Sequence, residues 1–239
     1  MSLLEALGQL APESSKTSLR SWLKEGRALV DNEVVKLGTT VVYPGQVVSI
    51  GSKMRFVEGD VNLLYEDKWI VVIDKPEGLL SVATAFEKGD TAHAILKNHY
   101  KPGQVHVVHR IDQDTSGVLV FARTDEARDR FKEMFEKHEL ERAYIAIIEG
   151  SLDQSAGTWQ SYLYEDEAYV VHTTDDPQKG RLAITHYKQL GRSRKYAWLQ
   201  LRLETGRKNQ IRVHCQQAGH PIVGDKKYGA KTNPIQRLG

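Results

Sequence analysis

The chain has 239 residues, of which 40% are hydrophobic and 27% are charged, values that are ordinary for a globular protein of one or two small domains. No apolar run reaches the length of a membrane helix, and no basic segment followed by an apolar one opens the chain, so neither membrane insertion nor secretion is expected. The single cysteine, Cys215, excludes an intramolecular disulfide and a cysteine-built metal site, which favours a reducing cytoplasm.

The net charge of +2 conceals an uneven distribution of charge along the chain. Residues 153–178 carry six acidic side chains and no Lys or Arg, whereas residues 179–239 carry 14 Lys and Arg against two Asp and Glu. Such a basic segment suits a polyanion-binding surface, because each phosphate contact requires a cation. A solvated basic face without a partner would show the same pattern, and charge alone does not decide between them.

The first 59 residues predict a small unit of two helices and short strands. Leucines at positions 3, 4, 7 and 10 have helical spacing, and the segment ends at Pro12. Ser18 is placed to cap a second helix, which stops at Gly26. Short strands are expected at 28–30, 34–35 and 47–50, and we place the end of this unit at Gly59-Asp60.

This order of elements resembles the alpha-L RNA-binding motif, which is named after a small-subunit ribosomal protein. The residues that carry the resemblance are 18–32 and 44–48. In that family the second helix and the turn after it contact RNA. The resemblance therefore implies four phosphate contacts, namely Lys16, Arg20, Lys24 and Arg27. A small helical cap that only packs on the main domain is the alternative, which suits the nearly neutral charge of the unit.

Residues 60–239 predict a mixed α+β domain with a mainly antiparallel sheet and flanking helices. Apolar runs predict strands at 70–73, 118–122, 144–148 and 198–203. Thr124 is the expected N-cap of a helix, and a further helix is expected from Asn209 to Gly219. Because strands and helices do not alternate one for one, an antiparallel sheet is expected rather than a doubly wound one.

The polar run His109–Gly117, between two apolar strands, is the strongest candidate for chemistry. Loops anchored on a rigid scaffold are common sites of function. A turn in which Asp112 and Asp114 accept backbone N–H bonds, and Gly117 takes a positive φ, would contain the same residues. The chain has no phosphate-binding loop, dinucleotide fingerprint or nucleophile elbow, and His106 and His109 have no ligand partners at metal-site spacing, so no cofactor or metal is expected.

The polar run resembles the His-Arg-Leu-Asp-x-x-Thr-Ser-Gly motif of the large-subunit class of RNA pseudouridine synthases, with Ile111 in place of the usual Leu. Three further blocks match in the expected order, at residues 64–79, 142–146 and 205–229. Together the blocks extend from about residue 62 almost to the C-terminus. The resemblance implies the pseudouridine synthase fold and a cofactor-free isomerisation of uridine in RNA.

The same resemblance assigns roles to individual residues. It implies that Asp112 is the catalytic carboxylate, acting as nucleophile or base, and that Arg212 pairs with it. Tyr144 would stack on the flipped uracil or transfer a proton, and Arg110 would fill the space that the base leaves. The remaining RNA contacts are expected from His109, Thr115, Arg207, Lys208 and Asn209. The family usually has His at position 209, so altered RNA or backbone contacts are expected there.

Two other functions fit parts of the sequence. A non-catalytic RNA-binding or ribosome-assembly protein would use the same basic segments, but Asp112, Tyr144 and Arg212 are all present, which favours an enzyme. A hydrolase using Asp112 and Asp114 would not need the basic C-terminal segment. Within the class an N-terminal alpha-L unit is typical of enzymes that modify large-subunit ribosomal RNA. Ribosomal RNA is therefore the expected substrate, transfer RNA is the alternative, and a monomer is expected.

Overall fold

The computed structural model describes residues 1–51, 55–57, 61–84, 89–100 and 103–233. At the N-terminus, helices α1 (Leu3–Leu10) and α2 (Lys16–Lys24) share a hydrophobic core with strands β1 (Ala28–Val30) and β3 (Val48–Ile50). The strand β2 (Glu33–Val34) completes an antiparallel sheet in the order β2-β1-β3. This core is built entirely from residues before position 51.

The second helix begins earlier than its sequence signal indicated. Its N-cap is Ser15, whose hydroxyl accepts a hydrogen bond from the Ser18 N–H at 3.1 Å. The predicted cap, Ser18, is therefore wrong, and this residue lies in the first turn of the helix. Nothing between Ser15 and Ser18 disfavours helical backbone, so a capping hydroxyl one turn before Ser18 is used.

A five-stranded antiparallel sheet follows, in the order β4-β5-β6-β8-β7. Its strands are β4 (Arg55–Phe56), β5 (Asn62–Glu66), β6 (Ile70–Lys75), β7 (His106–Val107) and β8 (Gly117–Ala122). The helices α3 (Ala92–His99) and α4 (Asp125–Glu136) accompany it. The predicted boundary at Gly59-Asp60 lies outside the described residues, and β4, just before it, pairs with β5, just after it.

A second five-stranded antiparallel sheet has the order β11-β10-β12-β13-β9. Its strands are β9 (Ala143–Glu149), β10 (Ala156–Glu165), β11 (Val171–Thr174), β12 (Arg181–Arg192) and β13 (Tyr196–Leu203). The helix α5 (Gln210–Gln217) packs on this sheet through Val213 and Cys215. The α+β class with antiparallel sheets is thus confirmed, as are the four predicted strands and the Thr124 cap, whose hydroxyl accepts from the Ala127 N–H at 3.1 Å.

Among the described residues, no helix has both the length and the apolar character that crossing a membrane would require.

Candidate active site

A cleft of about 1030 Å³ brings together most of the predicted site residues. Its walls come from both large sheets: the loop between β7 and β8, the start of β9, and the segment that leads into α5. The three predicted catalytic residues all line it, and so do five of the predicted RNA contacts. These eight residues are Asp112, Tyr144, Arg212, His109, Arg110, Thr115, Arg207 and Lys208.

The Asp112 carboxyl group is partly buried in this cleft. Burial raises its pKa above the ordinary value for Asp, and the negative charge of Asp114 adds to the increase. The charges of Arg212 and Arg110 oppose this effect, and so does the backbone N–H of Asn209, which hydrogen bonds the carboxylate. Asp112 is thus a desolvated acid whose ionised form is stabilised by two arginine charges and one backbone N–H.

Arg212 makes its direct ion pair with Asp225. Its Nε donates to Asp225 Oδ2 at 2.7 Å, and its Nη2 donates to Oδ1 at 2.8 Å. Arg212 acts on Asp112 through its charge, which lowers the pKa of the carboxyl group, and the catalytic pairing of the two residues stays a prediction. The planar Asp225 carboxylate, almost fully buried, matches one edge of the guanidinium, so the arginine is held in a fixed orientation.

Asn209 precedes α5 with a left-handed backbone at φ 55°, a conformation that Asn tolerates better than most residues. Its side chain is buried at 6% exposure. The amide Nδ2 donates to the Tyr228 hydroxyl at 2.9 Å, and Oδ1 accepts from Arg212 Nη1 at 3.2 Å. The expectation that this side chain contacts RNA is therefore corrected, because its polar atoms orient Arg212 and the backbone beside Asp112.

Tyr144 lies at the start of β9, opposite Leu201 of β13. Burial raises the pKa of its phenol, the charge of Asp112 raises it further, and the nearby Arg142 guanidinium lowers it. The phenol is therefore neutral at physiological pH, which suits stacking and hydrogen-bond donation. The influence of Asp112 and Arg142 on Tyr144 shows that the three groups share one end of the cleft.

Arg142 is a cleft residue that was not predicted from the sequence, although it lies in the matching block 142–146. Arg142 Nη2 donates to the carbonyl oxygen of Glu204 at 2.7 Å, and the guanidinium lies 5.8 Å from the centre of the Phe135 ring. A Cβ at Gly206 would collide with Arg142 Nη1, so a side chain at that position would displace this guanidinium. Arg142 lies two residues before Tyr144, and in extended backbone this spacing puts both side chains on the same face. The spacing could have indicated that Arg142 lies beside Tyr144 in the site.

His109 lines the cleft, but its ring has a structural contact. Its Nε2 accepts a hydrogen bond from the Val120 N–H at 3.0 Å, which places the ring proton on Nδ1 when the ring is neutral. Burial and the charge of Arg142 lower the pKa of His109 to about 4. The ring is thus neutral at physiological pH. It anchors the loop between β7 and β8, which holds Asp112 and which we call the catalytic loop, to β8.

Two buried polar side chains support the loop that carries Asp112. Lys75 is fully buried, and its Nζ donates to the carbonyl oxygens of Pro76, Leu79 and Gln113 at 2.7–2.9 Å. The Ser81 hydroxyl donates to the Ile111 carbonyl at 2.7 Å and accepts from the Ile111 N–H at 3.2 Å. Burial lowers the pKa of Lys75 to about 8. In the sequence, the lysine at the end of the apolar strand β6 could have indicated a buried ammonium group at this place.

The predicted N-terminal contacts are not part of this cleft. Lys16, Arg20 and Lys24 are exposed on α2. Arg27 is held more tightly: its Nε donates to the Gly51 carbonyl at 2.9 Å, and its guanidinium lies 4.9 Å from the centre of the Trp22 ring. These cations form a second basic region of the chain.

Within the described part of the chain, no group of three or more His, Cys, Asp or Glu side chains is arranged to hold a metal ion.

Comparisons with known proteins agree with this geometry. Residues 69–217 match the family described as RNA pseudouridylate synthase. The ribosomal large subunit pseudouridine synthase D of Escherichia coli is 33% identical over 96% of this chain and 73% of that protein. Its namesake in Pasteurella multocida is 33% identical over 96% of this chain and 74% of that protein.

Two solved human structures are also similar. RNA pseudouridylate synthase domain containing 4 has a TM-score of 0.58 and 28% identity over 70% of this chain and 68% of that chain. RNA pseudouridylate synthase domain containing 1 has a TM-score of 0.61 and 23% identity over 77% of this chain and 75% of that chain, which supports the fold alone. With its cleft, its family match and its relatives in agreement, the chain belongs to the RNA pseudouridylate synthases, isomerases that act on RNA.

Proposed function

We propose that this chain converts uridine to pseudouridine in large-subunit ribosomal RNA, with Asp112 as the catalytic carboxylate. The observation that carries the proposal is the surroundings of Asp112 in a cleft of nucleotide size. The carboxyl group is desolvated, and Arg212, Arg110 and the Asn209 N–H support its charge. The names of the bacterial relatives supply the class of RNA.

The reaction breaks the bond between the uracil nitrogen and the sugar, turns the base, and joins it again through carbon. No atom is gained or lost, so the chemistry needs no external reactant. A carboxylate beside the sugar serves either as a nucleophile or as a base, and both roles require its ionised form. Asp112 suits this task better than Asp114, which is exposed at the mouth of the same cleft.

The other residues of the cleft have complementary roles in this proposal. Arg212 keeps Asp112 ionised, and Tyr144 stacks on the uracil as a neutral phenol. The target base must leave its stack at a cost of a few kcal/mol, and the exposed Arg110 would fill the vacated space. Arg207 and Lys208 are exposed at the rim, where they would hold phosphates, while Thr115 would contact the nucleotide from the loop.

We further propose that residues 1–59 form an alpha-L RNA-binding unit and residues 60–239 the catalytic unit. The separate hydrophobic core and sheet before residue 51 support two units, while the pairing of β4 with β5 joins residues 55–56 to the catalytic sheet. Three exposed cations on α2, Lys16, Arg20 and Lys24, support an RNA contact there. Arg27 would then stiffen the turn after α2 as well as face the RNA. We also propose that the enzyme acts as a monomer.

The class of RNA is tested with unmodified transcripts of large-subunit ribosomal RNA, small-subunit ribosomal RNA and a pool of transfer RNAs. Each is incubated with the purified protein, and pseudouridines are mapped by carbodiimide modification and reverse transcription. The proposal expects new pseudouridine in the large-subunit transcript. Modification of transfer RNA alone would favour the alternative substrate, and it would leave the role of Asp112 intact.

A further inference from the structure

A second groove, of about 730 Å³, lies beside the active-site cleft. It is bounded by the end of β10, the starts of β11 and β12, and the strip Gly206–Lys208. The strip Gly206–Lys208 also lines the cleft that holds Asp112. A strand of RNA leaving the active site over this strip would therefore enter the groove directly. Arg207 and Lys208, at the border with the cleft, have a role in the reaction above, and the other described residues that line the groove have none.

The groove has a strongly basic lining. Its four cations are Lys179, Arg181, Arg207 and Lys208, and all four are exposed. Glu165 is the one carboxylate among the described residues that line it, and it forms an ion pair with Lys208. Arg207 is fixed at the rim, because its Nε donates to the Leu182 carbonyl at 2.9 Å. Positive charge thus exceeds negative charge along the whole groove.

Aromatic rings accompany these cations. The Lys179 Nζ lies 3.9 Å from the centre of the Tyr164 ring in the groove wall, and the Lys208 Nζ lies 5.7 Å from that of Tyr169. Tyr169 is 52% exposed at the tip between β10 and β11. A positive groove with rings beside it is the combination that single-stranded nucleic acid recognises: cations follow the phosphates and bases stack on the rings.

Of the acidic stretch 153–178, Glu165 offsets one groove cation by its pair with Lys208, whereas Asp166 and Asp176 are used inside the turns of the stretch. Asp166 accepts from the Val170 N–H at 2.8 Å and contacts His172 Nε2 at 2.7 Å. Asp176 accepts from the Gln178 N–H at 2.8 Å. These bonds shape the two turns that flank β11, and so they present Tyr164 and Lys179 to the groove.

We propose that this groove binds the single-stranded RNA that continues from one side of the target uridine, with Lys179 and Arg181 as phosphate contacts and the Tyr164 ring holding Lys179 in place. The inference rests on the proposed function, since it takes the adjoining cleft as the place of the target nucleotide. It assigns the acidic stretch a purpose, which is to build the wall of an RNA-binding groove.

The test compares the double variant Lys179→Gln/Arg181→Gln with Lys68→Gln/Lys97→Gln. The second pair removes the same charge from exposed positions that line neither cavity. On an RNA that the wild-type protein modifies, the groove variant is expected to raise KM roughly tenfold with kcat unchanged, while the control stays near wild type. Shortening the RNA at the end that enters the groove should weaken wild type equally and remove the effect of the substitutions.

A binding measurement keeps the test independent of catalysis. The affinity of a fluorescent ten-nucleotide RNA is measured at several salt concentrations. The slope of log affinity against log salt should fall by about 0.7 for each lost phosphate contact in the groove variant, and it should not change in the control. Equal slopes and equal KM in both variants would contradict the proposal that RNA binds in this groove. A wild-type protein that modifies no ribosomal RNA would instead overturn the proposed substrate, and the slopes would still decide the groove.

Discussion

The guanidinium of Arg212 binds the carboxylate of Asp225 through two parallel hydrogen bonds, from Nε to Oδ2 at 2.7 Å and from Nη2 to Oδ1 at 2.8 Å. In a third hydrogen bond, Nη1 donates to Asn209 Oδ1, so both Asp225 and Asn209 fix the orientation of the guanidinium. Arg212 therefore faces Asp112 as a positioned charge rather than as a hydrogen-bonded partner. Asp225 and Asn209 thus control how strongly the arginine supports the catalytic carboxylate.

The Asp225→Asn substitution should lower kcat by roughly 10- to 100-fold, because the bidentate pair is lost and small displacements of active-site groups have effects of this size. The binding of RNA should change little, since Asp225 lies behind Arg212. Steady-state kinetics on a modified RNA give both parameters. Asp153→Asn, an exposed position outside the cleft, provides the control. Equal kcat for the two variants would contradict the role given to Asp225.

Replacing Arg212 with Met should move the acid limb of the pH–rate profile to higher pH. The positive charge of Arg212 lowers the pKa of Asp112, so its removal raises that pKa. The active form is the ionised carboxylate, and it is lost as pH falls through the pKa. The measurement is kcat/KM as a function of pH in wild type and variant. An acid limb that stays in place would show that Arg212 does not act on the titrating group.

The Lys75→Met substitution should lower the free energy of unfolding by roughly 2–4 kcal/mol, because three partly buried carbonyl groups lose a charged donor. Two of these carbonyls lie in the turn after β6, and the third lies in the catalytic loop. Denaturant unfolding monitored by fluorescence measures the change. Lys97→Met, at an exposed helical position, is the matched control. Similar stabilities for the two variants would exclude a structural role for the buried ammonium group.

The protein should lose stability as pH falls from about 6.5 to about 4, in part through His214. Burial lowers the pKa of this histidine to about 4, from an unfolded value of 6.5. The unfolded chain therefore binds more protons in that window, which favours unfolding. Between pH 7 and pH 5 the loss from His214 is roughly 2 kcal/mol. His214→Gln, whose amide can replace the contacts to Ser161 and Thr185, should reduce the loss by that amount. The measurement is urea unfolding at both pH values, and an equal loss in wild type and variant would remove His214 as the cause.

The sequence predicted β6 and β8, which are neighbours in one sheet, because both are runs of apolar residues rich in β-branched side chains. It did not predict β10 and β12. Ser161 and Thr185 occupy buried positions of these strands, and their hydroxyls hydrogen bond the ring of His214 on α5. Polar residues at buried positions break the alternation on which strand prediction depends.

The sequence predicted which residues form the candidate site better than it predicted the hydrogen bonds and ion pairs among them. Asp112, Tyr144 and Arg212 do line one cleft. The partner of Arg212 depends on how the turn at Asp225 folds back on α5, and no local pattern contains that information. The two acids in the basic segment, Glu204 and Asp225, were a usable signal, since an isolated acid among many cations commonly has an internal partner. The burial of Asn209 and its left-handed backbone both depend on tertiary packing, which a local sequence pattern does not contain.

The most direct test is pseudouridine formation by Asp112→Asn beside Asp114→Asn, with RNA affinity measured for both. The Asp112 variant should bind RNA near wild-type strength but release no tritium above background from RNA labelled at carbon 5 of uridine. The Asp114 variant should retain activity within roughly tenfold of wild type, because its carboxylate is exposed and only adjusts the charge near Asp112. Normal turnover by the Asp112 variant would contradict the assignment of the catalytic carboxylate.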